Sequence, residues 1–424
     1  MNTCDVAVVG AGPVGAAAAL AFARAGKDVV LIDPRPGRAP GAGHGLPASV
    51  LPADPDDWDA RVFALSPASE ALLSSLGVWS RLRRERMAPV YEMRLFHDAD
   101  GGGQAESLRL DAFQGNIDHL AHIVEGRHLQ AALDEAVMDA GGVLRLRRVT
   151  GQVASLLLPS AHAAAQSVQF TLASGEQWQA GLVVAADGGR SPLRDMAGLE
   201  TRFFDYGQTA VVANFNAERS HGDAAWQWFD QDQGVIALLP LPATGREAGG
   251  RVSLVWSAPS GRAEGLMSLS PEALAAEVSY HTRGVLGNLQ QITPPACFPL
   301  RAVSCPEVIA PGFVMIGDAA HVVHPMAGQG MNLGFGDVAS LVDALLDDTG
   351  RALWRKGLVP WLLLRRHARA RREPVLMMHT LMRGLHTLFG PTLPLPVAAV
   401  RNLGWRAVGH SGWVRRQLIA QAIR

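Results

Sequence analysis

The chain has 424 residues, of which 48% are hydrophobic and 18% charged, and its formal net charge is -1 at pH 7. This composition excludes a disordered chain, and the length predicts two or three packed units. Three cysteines without a CxxC pair argue against a disulfide framework or a zinc ribbon and favour a reducing compartment. No basic segment precedes the N-terminal apolar run and no long uncharged apolar window is found, so we expect a cytoplasmic protein without a signal peptide or transmembrane helix.

The chain begins with a strand, a glycine-rich turn (GAGPVG), an alanine-rich helix to about Ala25 and a second strand that ends at Asp33. In this pattern Gly10 permits the tight turn, Gly12 lets the backbone approach a pyrophosphate, and Gly15 lets helix and strand pack closely. The helix N-terminus offers free N–H groups to phosphate, and Asp33 is placed to accept hydrogen bonds from an adenosine ribose. The pattern predicts dinucleotide binding, and both FAD and NAD satisfy it.

Loops, helices and strands are predicted to alternate over the next part of the chain. Residues 34–57 are dense in Pro and Gly, which predicts a long loop. Ser66-Pro67 has the form of a helix start, and an amphipathic helix is expected from about Arg127 to Ala140. The segment LVVAAD reads as a strand that ends in Asp187-Gly188.

Alternation of apolar and polar residues dominates from about Thr209 to Leu300. It predicts a sheet-rich second unit, interrupted by one helix near Pro271 to Thr282. Large apolar side chains of this unit are candidates to line a substrate pocket: Trp226, Trp228, Phe229 and Leu238 to Leu241.

A further strand leads into the stretch GDAAHVVHPMAGQGMNLGFGD. Its histidines, His321 and His324, raise the hypothesis of a metal site. The intervening Val-Val and the following Pro325 favour a loop, and no third ligand at metal spacing lies nearby. We therefore expect packing or hydrogen-bonding roles for both histidines and no metal.

Charge is distributed unevenly. From Arg351 to Arg424 thirteen Arg and one Lys stand against one acid, Glu373, which gives +13 and leaves -14 for residues 1–350. Such a basic region suits a membrane surface, a biosynthetic complex, the protein's own acidic body or simply solvent. Nucleic acid is disfavoured, because lysine is nearly absent there and no binding motif accompanies the arginines. Apolar residues of the region fit a peripheral docking surface: Trp354, Trp361, Leu362 to Leu364, Trp405 and Trp413.

Three motifs in this order, GAGPVG, AADGGRSPLR and GDAAHVVHPMAGQGMNLG, resemble those of the flavoprotein aromatic hydroxylases, the group A monooxygenases. More narrowly, ARVFALSPASEALLSSLGVW, GVIALLPLP and SLVW are similar to the ubiquinone-biosynthesis hydroxylase family, over about residues 4–345. The resemblance implies an α/β fold: a Rossmann-like FAD-binding domain of the GR2 type, an inserted sheet-rich substrate domain and a C-terminal helical region. We expect the following division: 1–72, 120–205 and 300–348 for the FAD-binding domain, 73–119 and 206–299 for the substrate domain, and 349–424 for the basic helical region.

The resemblance also implies an activity. A bound FAD would be reduced by NAD(P)H and react with O2 at the flavin C4a, and the resulting hydroperoxide would hydroxylate the ring of a polyprenylated phenol in ubiquinone biosynthesis. Because no second GxGxxG precedes a helix, NAD(P)H is expected to bind transiently. No side chain is identified as an acid or a base.

Cofactor-binding residues follow from the same resemblance. Arg61 and Arg127 correspond to arginines near the FAD phosphates, Asp318 to the acid on the ribityl chain, and Pro325 to Asn332 to the segment beside the isoalloxazine. Glycines there would let the backbone approach the flat ring, and a helix N-terminus would stabilise negative charge on reduced flavin. The complete set is Gly10, Gly12, Pro13, Gly15, Asp33, Arg61, Arg127, Asp187, Gly188, Gly317, Asp318, Pro325, Gly328, Gln329, Gly330, Met331 and Asn332.

Two alternative functions stay open. One is hydroxylation of a small soluble aromatic, whose carboxylate would need an arginine of the sheet-rich unit, with Arg219 and Arg251 as candidates. The other is a flavin-binding assembly subunit without turnover. The complete motif GDAAHVVHPMAGQGMNLG argues against it.

Overall fold

The computed structural model describes residues 1–35, 57–97, 108–159, 167–230, 232–242, 249–324, 328–354 and 357–388. Most of the predicted loop at 34–57, and the predictions for Pro325, Trp405 and Trp413, lie outside them. In chain order the elements are β1 Asn2–Val9, α1 Pro13–Arg24, β2 Val29–Asp33, β3 Val62–Leu65, α2 Pro67–Ser75, β4 Met87–Val90, β5 Glu92–His97, β6 Leu108–Asp111, α3 Ala112–Gly115, β7 Ala121–Glu125, α4 Gly126–Val143, β8 Leu146–Thr150, β9 Val153–Leu157, β10 Val168–Leu172, β11 Gln177–Ala185, α5 Pro192–Met196, β12 Arg202–Ala217, β13 Ala224–Asp230, β14 Gly234–Leu241, β15 Gly250–Pro259, α6 Ser260–Met267, α7 Pro271–His281, β16 Leu289–Gln291, β17 Ala296–Ser304, β18 Ile309–Ala310, β19 Phe313–Met315, β20 His321–Val322, α8 Gln329–Leu345 and α9 Trp361–Leu388.

An eight-stranded sheet forms the first large layer. Its path is β18-β19-β11-β1-β2-β8, with β10 beside β11 and β9 beside β10. The strands from β19 to β8 along this path are parallel. Strands β2 and β19, most of β11 and the second half of β1 are apolar and buried, as parallel strands under helices must be. The edge strand β8 is mostly polar and partly exposed. Helices α1, α4 and α8 pack together on one of these faces.

A nine-stranded, mainly antiparallel sheet forms the second layer, with the path β20-β17-β12-β15-β14-β13-β5-β6 and β16 beside β12. One of its faces carries a core around Phe215 and Trp256, covered by α6 and α7. The expectation of a single helix in this unit was therefore wrong. The segment SGRAEGLM forms α6 despite two glycines, because it packs two buried side chains, Ala263 and Leu266, on the sheet.

A three-stranded sheet, β3-β7-β4, joins the two layers. The predicted α/β fold class is confirmed by this arrangement of a parallel, helix-covered sheet and a separate antiparallel sheet. The residue-by-residue domain division stays a prediction. Its limits at 205/206 and 299/300 fall inside β12 and β17.

The helix α9 packs along α8 and presents most of its arginines to solvent. Leu364 on α9 is fully buried, and Trp354 is 5% exposed, with its ring against Phe22 and the Lys27 ammonium. These two residues belong to the core, so their assignment to a docking surface was wrong. Trp361 and Leu362 are exposed. Within the described residues, no helix combines the length and the apolar character needed to cross a bilayer.

Candidate active site

A cavity of about 540 Å³ lies where the three sheets meet. Its lining comes from the turn after β1, from β3 and β7, from one face of the nine-stranded sheet, and from the segment that leads into α8. Predicted site residues that line it are Gly12, Pro13, Gly15, Arg61, Gly188, Asp318, Gly328, Gln329, Gly330, Met331 and Asn332. Gly10, Asp33, Arg127, Asp187 and Gly317 do not line it.

The first turn uses its glycines in two ways. A Cβ on Gly10 would lie 2.2 Å from the Ala186 carbonyl oxygen, and one on Gly15 would lie 1.9 Å from the Gly10 carbonyl oxygen. These two glycines are needed for packing within the protein. A Cβ on Gly12 would meet no protein atom within 4 Å, and its backbone faces the cavity. Gly12 is also the N-cap of α1, so the free N–H groups of that helix are directed toward the same space.

Asp33 is 4% exposed at the end of β2. Its Oδ2 accepts a hydrogen bond from the Ala11 backbone N–H at 2.7 Å, and Oδ1 accepts one from Arg35 Nε at 2.9 Å. Burial alone would raise the pKa of Asp33, but the bonds from Arg35 and Ala11 outweigh it and lower the pKa below its usual value. Asp33 thus holds the glycine turn as an ionised carboxylate, and the ribose contact stays a prediction.

Asp187 and Gly188 follow β11. The Asp187 carboxylate accepts a bond from the Leu193 N–H at the start of α5, and burial raises its pKa against the hydrogen bonds from Ser191 and Leu193. Gly188 has a φ of +87°, which L side chains rarely adopt, and it lines the cavity.

Asp318 lies in a single 3-10 turn, Gly317–Ala319. Its side chain opens into the cavity, yet protein surrounds the site on the other sides, and this burial raises its pKa. The nearby His321 and Arg61 oppose that shift. The structure therefore places the predicted ribityl-binding acid on the cavity wall.

The buried Asp337 supports the turn at Gly317-Asp318. It accepts hydrogen bonds from the Gly317 N–H at 2.8 Å, from His321 Nε2 at 2.7 Å and from Arg371 Nε, on α9, at 2.6 Å. Burial alone would raise its pKa, but the charge and hydrogen bond of His321, together with Arg371, lower it far below the usual range. The role of Asp337 and Arg371 was missed, because no local pattern links α9 to this turn.

The two histidines that follow Asp318, His321 and His324, have separate partners. His321 is bound to Asp337, whereas His324 Nε2 lies 3.0 Å from Gln208 Oε1, on β12. Hydrogen-bonding roles are what the sequence predicted for both.

The segment from Gly328 to Asn332 forms the start of α8. Gly328, the N-cap, has a φ of +64°, and Gly330 offers an open backbone to the cavity. The Asn332 Oδ1 accepts from the Ser66 N–H and from Ser69 Oγ, and its Nδ2 donates to the Ala64 carbonyl. Asn332 therefore locks α8 to β3 and α2.

Arg61 and Arg127 are placed differently. Arg61 lines the cavity, with its guanidinium 5.0 Å from the Phe63 ring centre. Arg127 lies outside the lining and pairs with Asp57 at 2.9 Å, and its backbone N–H donates to the Asp59 carboxylate.

The opposite wall of the cavity is one face of the nine-stranded sheet. Among the described residues of β5, β6 and β12 to β15, those that line the cavity are uncharged: Met93, Leu110, Ala210, Val212, Ala225, Gln227, Val235, Ala237, Leu239, Val255 and Ser257. Of the aromatic and aliphatic residues predicted for this role, Leu239 lies here. Trp226 and Trp228 lie on the opposite face, because side chains alternate along β13 and the cavity takes Ala225 and Gln227 instead.

The cofactor wall fits FAD. The residues Gly12, Gly188 and Gly330 each present backbone that no protein atom covers, so a side chain there would occupy the cavity. The N-termini of α1 and α8 add free N–H groups for phosphates and for an electron-rich ring. Together with the uncharged face of β5, β6 and β12 to β15, this arrangement fits a flavin with an adjoining substrate space.

Comparison with known proteins agrees with a site for FAD. Residues 60–352 match the family described as FAD binding domain, and residues 5–64 match FAD dependent oxidoreductase. The p-nitrophenol 4-monooxygenase PnpA of Pseudomonas putida has the same fold, with a TM-score of 0.72 over 100% of this chain and 99% of that one, at 18% identity. The chain is an FAD-dependent aromatic monooxygenase.

Two relatives identify the family within this class of enzymes. The chain is 32% identical to the 3-demethoxyubiquinol 3-hydroxylase of Escherichia coli, over 99% of this chain and 98% of the relative. It is 34% identical to the ubiquinone hydroxylase UbiL of Rhodospirillum rubrum, over 100% of this chain and 90% of the relative. The chain belongs to the ubiquinone-biosynthesis hydroxylase family.

Proposed function

We propose that this enzyme uses NAD(P)H and O2 to hydroxylate the aromatic ring of a polyprenylated phenol, a precursor of ubiquinone. The names of two relatives, 3-demethoxyubiquinol 3-hydroxylase and ubiquinone hydroxylase UbiL, support this substrate class. The observation that carries the proposal is the uncharged wall of β5, β6 and β12 to β15, which faces the glycine-lined cofactor wall across one cavity. An apolar sheet face suits a lipid-like phenol better than a charged aromatic.

The chain's own residues position the cofactor, and FAD, when bound, supplies oxygen activation and transfer. In this proposal Gly12 and Arg61 would bind the pyrophosphate, Asp318 would accept hydrogen bonds from the ribityl hydroxyls, and the backbone from Gly328 to Asn332 would hold the ring. The free N–H groups at the start of α8 would stabilise negative charge on the reduced ring. Asp337 keeps the Asp318 turn in place through the Gly317 N–H.

Small side chains on the sheet wall make room for substrate. Ala237 stands between Gln227 and Val255 in neighbouring strands, so a row of small and medium side chains forms the floor. Gln227 and Ser257 are the polar groups on this face for orienting a phenol hydroxyl. Arg251, a candidate for binding a substrate carboxylate, packs on Trp58 and bonds Asn216, which weakens the soluble-aromatic alternative.

Peripheral attachment to the inner face of the cytoplasmic membrane is the second part of the proposal. The exposed Trp361 and Leu362 lie at the start of α9, near exposed arginines at 365, 366, 369 and 372. Apolar residues next to arginines favour an anionic lipid surface. The double substitution W361S/L362S should reduce co-sedimentation with anionic vesicles, whereas Y280S, at another exposed aromatic residue, should not. Equal sedimentation of all three proteins would contradict attachment through α9.

The catalytic proposal is tested with purified holoenzyme. We expect a yellow protein whose NAD(P)H oxidation is stimulated by a prenylated phenol, with a product heavier by one oxygen atom in mass spectrometry. A strain that lacks the protein should accumulate one unhydroxylated quinone precursor. Unchanged quinones, together with turnover of a small soluble aromatic acid, would instead favour the alternative, and Arg301 on the cavity wall would be the arginine to test.

A further inference from the structure

Three metal-ligand side chains converge outside the cavity. They are Glu70 on α2, His119 in the loop before β7, and His122 on β7. Glu70 Oε2 lies 2.9 Å from His119 Nε2 and 3.2 Å from His122 Nδ1, and the two ring centres are 4.2 Å apart. Two imidazole nitrogens and one carboxylate oxygen therefore face a common point.

These separations match those of a small metal centre. With metal–ligand bonds of about 2.0–2.1 Å, neighbouring ligands of a tetrahedral zinc ion are about 3.3 Å apart. The two carboxylate–imidazole separations are already near that spacing, and the three donor atoms all lie within 4.8 Å of one another, so small side-chain adjustments would let a cation take the place of the proton between Glu70 and His119. Two histidines and one carboxylate form one of the common three-ligand zinc sets.

The surroundings suit a bound cation as well. The side chains are between 17% and 25% exposed, which leaves access for a water molecule as the fourth ligand. The Trp79 ring packs edge-on against His122 and limits its rotation.

The ligands stand on rigid elements. β7 is paired on both sides, with β3 and with β4. The Ser66 hydroxyl caps α2, and the Ser66 N–H is bound to Asn332. Such supports hold a metal site in place before the ion arrives.

We propose that Glu70, His119 and His122 form a three-ligand site for Zn²⁺ or a similar divalent transition-metal ion, with water as the fourth ligand. The ion fastens α2 to β7. The neighbours of His122 along that strand, Ala121 and Ile123, line the active-site cavity, so the metal stabilises the cavity wall from behind. The site is separate from the flavin-binding residues, and its test does not depend on the substrate.

The test is zinc binding by the untagged holoenzyme, measured by equilibrium dialysis and elemental analysis. We expect one Zn²⁺ per chain and a higher thermal unfolding midpoint with zinc. H119Q and H122Q should each weaken binding by at least about tenfold, since even the loss of a supporting residue behind a ligand costs roughly that much. E70Q, which keeps size and hydrogen bonding, provides a third variant if a histidine variant does not fold.

The matched control is H281Q, because His281 contacts Glu277 in a pair without a second histidine. It should bind zinc as the unsubstituted protein does. No zinc uptake by the unsubstituted protein, or uptake by H119Q, H122Q and E70Q equal to that of the unsubstituted protein, would overturn the proposal. Glu70 and His119 would then be a hydrogen-bonded pair beside His122.

Discussion

The two walls of the cavity are built from different kinds of structure. The cofactor wall consists of strand ends and helix starts, and its essential positions are glycines such as Gly12 and Gly330 whose backbone is left open. The substrate wall is the face of a continuous sheet, where every second residue, such as Ala237 on β14 and Val255 on β15, points inward. The first wall depends on backbone conformation, and the second on side-chain volume.

This difference indicates how such an enzyme can change its substrate and keep its cofactor. A loop that approaches a cofactor tolerates almost no substitution, because any Cβ alters the approach. A sheet face accepts exchanges among apolar residues as long as the strands stay paired. Substitutions should therefore separate into losses of flavin on one wall and losses of turnover on the other.

The largest effect is expected for Gly15→Ala. Its Cβ would lie 1.9 Å from the Gly10 carbonyl oxygen, which is backbone and cannot move aside, so we expect roughly 3 kcal/mol or more of lost stability. Gly12→Ala should fold with stability within about 0.5 kcal/mol of the unsubstituted protein, since nothing in the protein meets its Cβ. It should still lose FAD affinity. Thermal unfolding of the apoproteins measures the stability of the two variants, and flavin content after dialysis measures their FAD affinity. Full flavin retention by Gly12→Ala would contradict the assignment of Gly12 as a position whose open backbone contacts the cofactor.

Asp337→Asn should rank second, because it leaves His321 and Arg371 without their carboxylate. Breaking such a buried pair costs about 3–5 kcal/mol. The lowered pKa of Asp337 means that its contribution is complete above the unfolded-state pKa of about 4 and is lost as pH falls through the folded-state value. The stability difference from the unsubstituted protein should therefore shrink below about pH 4.

Chemical denaturation at several pH values tests this, with Asp343→Asn, an exposed site on the same helix, as the control. A difference that is constant down to pH 2 would show that the ionised carboxylate is not the stabilising form.

The sequence predicted the cofactor wall far better than the substrate wall. The glycines of the first turn and the start of α8 are local constraints, so a few adjacent residues are enough to reveal them. The bonds of Asn332 to Ser66 and Ser69 join residues far apart in the chain, and no local pattern marks them. On β13 the alternation was visible, but it does not tell which face meets the cavity, and large aromatic residues were wrongly preferred to Ala225 and Gln227.

Ala237→Leu tests the substrate wall directly. The added volume enters the cavity floor, so kcat/KM for a prenylated phenol should fall by at least about tenfold, which corresponds to 1.4 kcal/mol. Flavin content should be unchanged. On the opposite face of β15, Ala258→Leu enters a packed core and should cost about 1–3 kcal/mol of stability while the folded fraction keeps its turnover. Equal turnover by Ala237→Leu and the unsubstituted enzyme would place substrate elsewhere.

The smallest effect separates the two arginines that were predicted near the FAD phosphates. Arg61 lines the cavity, whereas Arg127 is already paired with Asp57 outside it. A guanidinium that forms its charge-assisted bond only with phosphate contributes its full interaction to binding, but Arg127 must first give up an existing partner. We therefore expect Arg61→Met to weaken FAD binding by about tenfold, or 1.4 kcal/mol, and Arg127→Met by less than about threefold. Flavin titration of the two apoproteins measures the ratio. If Arg127→Met were the weaker binder, Arg127 would have to leave Asp57 when FAD binds, and D57N would then strengthen FAD binding.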